Sequence, residues 1–247
     1  MNYSYICVGR FLNWLMESFI IAIDGFSSTG KSTFAKLIAD KLGFVYVDSG
    51  AIYRLVSLYS LQSGLIKDGT VDIDALSSAL PSIQVSYEIS DNKSQICLNG
   101  VNVEKRIRLI DVAECVSQVS AIPFVREWVN QKLRSSVEGM NVVMDGRDIG
   151  TTVFPDAQLK IYMVADARIR AQRRMLQLEA AGEQPVFEDI YSNIVERDYI
   201  DSHRKVSPLR KADDAIVLDN SHMTMNQQMD WILSILKDKF NKSFDEA

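Results

Sequence analysis

Five short apolar runs punctuate the chain: "FIIAID" (19–24), "FVYVD" (44–48), "NVVMD" (141–145), "LKIYMV" (159–164) and "AIVLD" (215–219). They are continuous rather than alternating, and each is too short for a helix, which is the pattern of strands buried on both faces of a parallel sheet. Between them, apolar positions recur at helical spacing over about 32–42, 50–63, 110–120, 122–137, 166–181, 187–203 and 224–238. Strand and helix in alternation predict an α/β fold, a parallel sheet flanked by helices.

Two segments break the rhythm. Over about 81–108 the pattern shifts to short alternating strands, "IQVSYEI" and "SQICLNGVNV", with Asn99-Gly100 as a type I′ hairpin signal. A small antiparallel insert is expected there. Over about 173–204 the chain turns to arginines and carboxylates, with Phe187, Ile190, Ile194 and Val195 at helical spacing; this reads as a helical lid. Residues 1–15 read as a dispensable extension, because "MESFIIAIDG" from Met16 resembles a natural start, and 16–247 form the functional domain.

The first apolar run opens directly into "GFSSTGKST", Gly25 to Thr33. Gly25, Gly30, Lys31 and Ser32 satisfy G-x-x-x-x-G-K-[ST], in the strand, turn and helix context the motif needs. A helix N-terminus offers unpaired N–H groups, and glycines let backbone close around a phosphate without a Cβ clash. Lys31 supplies a point charge for the β and γ phosphates, and Ser32 a hydroxyl for Mg²⁺. Asp145, ending an apolar strand, is the candidate carboxylate acting on that ion through water.

Composition narrows the partners. The chain has 247 residues, 47% hydrophobic and 24% charged, and a net charge of −5. An acidic balance argues against coating nucleic acid or an anionic membrane, and no apolar run reaches membrane-spanning length. Cys7, Cys97 and Cys115 lack metal spacing and read as small buried apolar residues in a reducing, cytoplasmic setting. His203 and His222 stand too far apart to suggest a metal pair or a Ser-His triad.

Further stretches, in order, are "VDSGAIYR" (47–54), "DVAECVSQVS" (111–120), "DGRDIGTTVFPDAQLKIYMVA" (145–165), "RRMLQL" (173–178) and "ERDYIDSHRKVSPL" (196–209). With the phosphate loop, they make the chain resemble the cytidylate kinase family of P-loop nucleoside monophosphate kinases, from Phe19 to about Leu236. The resemblance implies phosphoryl transfer from ATP to CMP or dCMP with Mg²⁺. It implies ATP contacts from Gly25, Ser27, Ser28, Thr29, Gly30, Lys31, Ser32 and Thr33, with Ser32 also on the metal. Lys31, Asp145, Arg147 and Arg204 are the expected catalytic groups.

For the acceptor, the resemblance assigns base reading to Ser117, Arg126 and Asp148. Those chemistries suit a cytosine edge, with one amino donor and two acceptors. Arg54, Arg147 and Arg204 are expected on the acceptor phosphate, where arginine binds bidentately. Arg197 and Asp201 are expected on the sugar, Ser49 on the acceptor nucleotide, and Arg173 and Arg174 near the donor. Arg197, Asp201 and Arg204 fall at i, i+4 and i+7, so one helical face would present all three; a surface salt bridge is the plain alternative. Phe124, Tyr199 and Ile200 depart from the family pattern. Partners are expected to be small molecules only, with the chain monomeric.

Other readings are weaker. Kinases for UMP, AMP or shikimate share the phosphate loop. A GTP-dependent switch needs an N-K-x-D loop, and "NKSQ" (92–95) lacks the aspartate.

Overall fold

The computed structural model describes residues 18–90, 93–180 and 182–240. The extension expected over 1–15, and Cys7 with it, lie outside the described residues. The elements begin with β1 (Ile20–Gly25), α1 (Lys31–Leu42), β2 (Val45–Asp48) and α2 (Ser49–Gln62). A two-stranded hairpin, β3 (Ile66–Lys67) and β4 (Thr70–Val71), leads into α3 (Ile73–Ala79). The antiparallel strands β5 (Val85–Ser90), β6 (Lys93–Leu98) and β7 (Val101–Asn102) are followed by α4 (Ile110–Ala121) and α5 (Pro123–Ser136). The chain continues through β8 (Val142–Gly146), β9 (Leu159–Val164), α6 (Ala167–Ala180), α7 (Phe187–His203), β10 (Ile216–Asp219) and α8 (Met225–Phe240).

The described residues divide into two compact units. The first takes in the described residues of Met1–Val47, Ser136–His203 and Ser207–Ala247; the second takes in Asp48–Ser135 and Arg204–Val206.

In the first unit the sheet runs β10-β9-β1-β8-β2, with β1 parallel to both β8 and β9 and β9 parallel to β10. The three inner strands carry the fully buried residues Ile21, Ile23, Val143, Leu159, Ile161 and Met163, which pack with Phe34 and Ile38 of α1 and Ile232 and Leu236 of α8. These residues lie on one face of the sheet, under α1 and α8, and Ala22, Val142 and Met144 on the opposite face are fully buried too, so the continuous apolar sequence reflects strands enclosed on both faces. The outer strands are less enclosed: Val45 and Val217 are exposed, because an edge strand lacks one neighbour.

The second unit holds the three-stranded antiparallel sheet, order β5-β6-β7. Asn99 and Gly100 both take positive φ, at 50° and 79°, as a type I′ turn requires. The β3–β4 hairpin uses the same device at Asp68 and Gly69, with φ of 49° and 72°. Of the described cysteines, Cys97 is buried, as expected, and Cys115 is only half-buried; both are free thiols.

Candidate active site

The phosphate loop is rooted at the carboxyl end of the central strand. Gly25 has φ of 154°, and a Cβ built there would lie 2.1 Å from the Met163 carbonyl oxygen of β9. The first motif glycine is therefore demanded by the backbone of the adjacent strand. Gly30 takes φ of 90° immediately before α1 and makes no side-chain cap, leaving the first-turn N–H groups of the helix pointing outward. The Lys31 ammonium lies across the loop, donating to the Phe26 carbonyl and to Thr29 Oγ1 at 3.2 Å. Burial, and then the nearby Arg147, push the Lys31 pKa well below the ordinary value, against the pull of Asp145, Asp201 and Asp24.

Beside the loop, Ser32 Oγ donates to Asp145 Oδ2 at 2.8 Å, joining the start of α1 to β8. The other carboxylate oxygen, Oδ1, accepts from Tyr46 Oη of β2 at 2.8 Å. Ser32 is exposed and Asp145 buried. A hydroxyl and a carboxylate are hard oxygen donors of the kind Mg²⁺ takes alongside substrate phosphates. Among the described residues no group of three or more His, Cys, Asp or Glu side chains could enclose a metal by itself.

After β8 the chain makes a tight turn. Asp148 O accepts from Thr152 and Val153 N–H at 2.8 and 3.1 Å, and Ile149 O from Phe154 N–H at 2.7 Å, giving a single π-helical turn over Ile149–Val153. Asp24, the last residue of β1 before Gly25, holds that turn: Ile149 and Gly150 N–H donate to its two oxygens at 2.7 Å each. Such turns recur at functional sites, and Arg147 and Asp148 lie between β8 and this one. Asp148 is buried. Arg147 Nε donates to Asp201 Oδ2 of α7 at 2.8 Å. Burial works against the Arg147 charge, but Asp201, and more distantly Asp145 and Asp198, raise its pKa.

Arg197 lies one turn before Asp201 on α7, and Arg204 is the first residue beyond that helix. The helix stops at His203, where Ser202 Oγ donates to the Asp198 carbonyl at 2.6 Å and His203 Nδ1 lies 2.9 Å from the Tyr199 carbonyl. Ser207 then adopts φ of 48° ahead of Pro208, which disfavours continuing the helix. Arg204 belongs to the second unit instead.

Arg170 and Arg173 tie α6 to the phosphate loop. Arg170 donates to the Ser27 and Ala165 carbonyls at 3.2 and 2.9 Å, pairs with Asp198 of α7 at 2.7 Å, and lies over the Phe26 ring at 5.4 Å. Arg173 Nη2 donates to the Asn220 carbonyl at 2.7 Å, and Asn220 Nδ2 in turn donates to the Thr29 carbonyl at 2.8 Å. Arg174 is exposed.

The second unit carries Ser49, Arg54, Ser117, Arg126 and Arg204. Ser49 starts α2, which is capped by Asp48 accepting from Ala51 N–H at 3.2 Å; Arg108 holds the same carboxylate at 2.8 Å. Arg126, only 2% exposed, donates to the Ser120 carbonyl at 2.9 Å and lies 5.3 Å over the Tyr53 ring. Ser117 and Arg54 are half-buried on α4 and α2.

A family model described as cytidylate kinase matches residues 21–238. The cytidylate kinase of Bacteroides fragilis is 49% identical over 221 residues, 89% of this chain and 96% of that protein. That of Bacteroides thetaiotaomicron is 48% identical over 233 residues, covering 94% of this chain and all of the relative, and that of Flavobacterium johnsoniae is 46% identical over 225 residues, covering 90% and 98%. The chain belongs to the cytidylate kinase family.

Three residues with clear structural work in this family member escaped the sequence reading. Asp24 was a visible anomaly, a carboxylate closing an otherwise apolar run. Tyr46 was hidden inside a strand pattern, where a phenol reads as bulk. Arg170 looked like one more charge in an arginine-rich helix. Only the fold brings each to its partner. No helix among the described residues is long and apolar enough to cross a membrane.

Proposed function

We propose that the chain transfers the γ-phosphoryl group of ATP to CMP or dCMP, giving ADP and CDP or dCDP, in the cytoplasm. The observation carrying this reading is the junction at the end of β1 and β8, where Lys31 in the phosphate loop is followed by Ser32, bonded to Asp145 at 2.8 Å, within a chain of this family. The loop N–H groups from Gly25 to Thr33 would hold the donor triphosphate, and Lys31 would exchange its loop carbonyl for the β and γ phosphates. Ser32 would place its hydroxyl on Mg²⁺ and Asp145 would act on the ion through water; when bound, the ion would neutralise charge on the phosphates and orient them.

The acceptor needs no general base. A phosphate monoester has a second pKa near 6 and is already doubly charged at neutral pH, so the protein has to align and neutralise rather than deprotonate. We assign Arg54, Arg147 and Arg204 to the acceptor phosphate, with Asp201 presenting Arg147 through its 2.8 Å hydrogen bond. Asp148, Ser117 and Arg126 read the base, and Arg197 with Asp201 the sugar. Asp148 accepts from the amino group of cytosine; uracil would turn a carbonyl toward it and leave two acceptors facing each other.

The test is a coupled assay of the purified chain with ATP against CMP, dCMP, UMP, AMP and shikimate, with and without Mg²⁺. Turnover strongest with CMP or dCMP and dependent on Mg²⁺ is expected. Preference for UMP or AMP would replace the acceptor assignment, and inertness toward all five would overturn the reading.

A further inference from the structure

The Asp145 carboxylate is gripped at both oxygens, and the two grips differ in kind. Ser32 Oγ, on Oδ2, is the hydroxyl that the phosphate-loop motif gives to the cation. Once it serves that role, Oδ2 gives up its bond from Ser32. Tyr46 Oη, on Oδ1, lies outside the phosphate-loop motif. It comes from β2, an outer strand next to β8 in the sheet. Its ring is half-buried against the core and lies under the ammonium of Lys36 from α1, 5.2 Å from the ring centroid. The phenol is thus fixed by packing on one side and by a cation on the other, with its hydroxyl aimed at the carboxylate.

We propose that Tyr46 is a positioning residue for metal-assisted nucleotide binding: its hydroxyl fixes the plane of Asp145 so that Oδ2 stays directed at the metal side of Ser32. A carboxylate held at one oxygen can turn about its terminal torsion, which is broad. Held at Oδ1 by a fixed donor, it presents Oδ2 in one direction whether or not Ser32 is bound to it. Partners of this type, one bond removed from the metal, commonly govern metal affinity by tenfold or more. The proposal rests on reading Asp145 as the carboxylate that serves the metal, and the experiment separates the two.

The measurement is the ratio of affinities for ATP with Mg²⁺ and for ATP in EDTA, by calorimetry on the full chain. Tyr46→Phe keeps the ring, its packing and its contact with Lys36, and deletes the hydroxyl alone. The ratio is expected to fall about tenfold while affinity for metal-free ATP stays near wild type. A purely structural role would lower both affinities together and leave the ratio unchanged, which would overturn the proposal. Tyr46→Leu serves as a second variant and is expected to lower the ratio to the same extent. Asp145→Asn should also lower the ratio, and adding Tyr46→Phe to it should lower it no further, because the phenol acts through Asp145. If Asp145→Asn lowers the ratio and Tyr46→Phe does not, the proposal falls alone. If neither lowers it, the metal reading of Asp145 falls and takes the proposal with it.

Discussion

Asp24 is a carboxylate placed where charge is costly. It is 5% exposed and is the last residue of β1 before Gly25. Burial raises its pKa most, the Gly150 and Ile149 N–H groups lower it, Asp148 raises it and Lys31 lowers it, and the balance takes it from 3.8 to about 6. That rise corresponds to about 3 kcal/mol. The sign follows from proton binding: between about pH 4 and 6 the folded chain holds a proton on Asp24 that the unfolded chain has already lost. Stability contributed by this group is therefore fully present below about pH 4, is lost progressively as pH rises through 6, and does not change further above it. Asp111, Asp214 and Asp219 act oppositely, their pKa values being lowered by Arg106, Lys160 and Ser221 respectively, so the total pH curve hides Asp24. Carboxyl ¹³C NMR of Asp-labelled protein should show one midpoint near 6 that Asp24→Asn abolishes. In denaturant titrations, the wild type should gain about 2 kcal/mol relative to Asp24→Asn between pH 7.5 and 4.5. A midpoint below 4.5 for this carboxyl, or parallel stability curves, would show that the two 2.7 Å N–H bonds outweigh burial.

Three other outcomes are expected. Gly25→Ala places a Cβ 2.1 Å from a backbone oxygen and should cost at least about 4 kcal/mol; an unchanged melting temperature would contradict the loop geometry. Because Lys31 is held well below its ordinary pKa, ATP binding should draw a proton onto it at alkaline pH; calorimetry in buffers of different ionisation enthalpy should detect that uptake in the wild type and lose it in Lys31→Met. Asp148→Ala should reduce preference for CMP over UMP by about tenfold, within the 1–3 kcal/mol of a good polar pair, with little change in ATP affinity; unchanged selectivity in steady-state kinetics removes Asp148 from base reading.

The strands of the main sheet and the phosphate loop were legible because their causes are local: continuous apolar runs, and a loop whose glycines and lysine sit at fixed spacing. The Asn99-Gly100 turn was legible for the same reason. Asp68-Gly69 carries an equal signal, yet its strands are only two residues each, too short to show any alternation. The π-helical turn at Ile149–Val153 left no periodic trace, since it depends on Asp24, 125 residues away from Ile149. Helical spacing placed Arg204 with Arg197 and Asp201, and the helix runs to His203, one residue short of it. Spacing foretells a face only as far as the helix lasts.

The position of β1 in its sheet has one more consequence. Both of its edges are hydrogen-bonded, to β8 and to β9, whereas β10 and β2 each leave one row of amides open. Opening of a sheet begins where fewest bonds must break, so the margins of this one exchange their amide protons first and its middle last. The anion grip therefore grows out of the most slowly exchanging backbone of the first unit, and a molecule frayed at either margin still has an intact seat for a triphosphate.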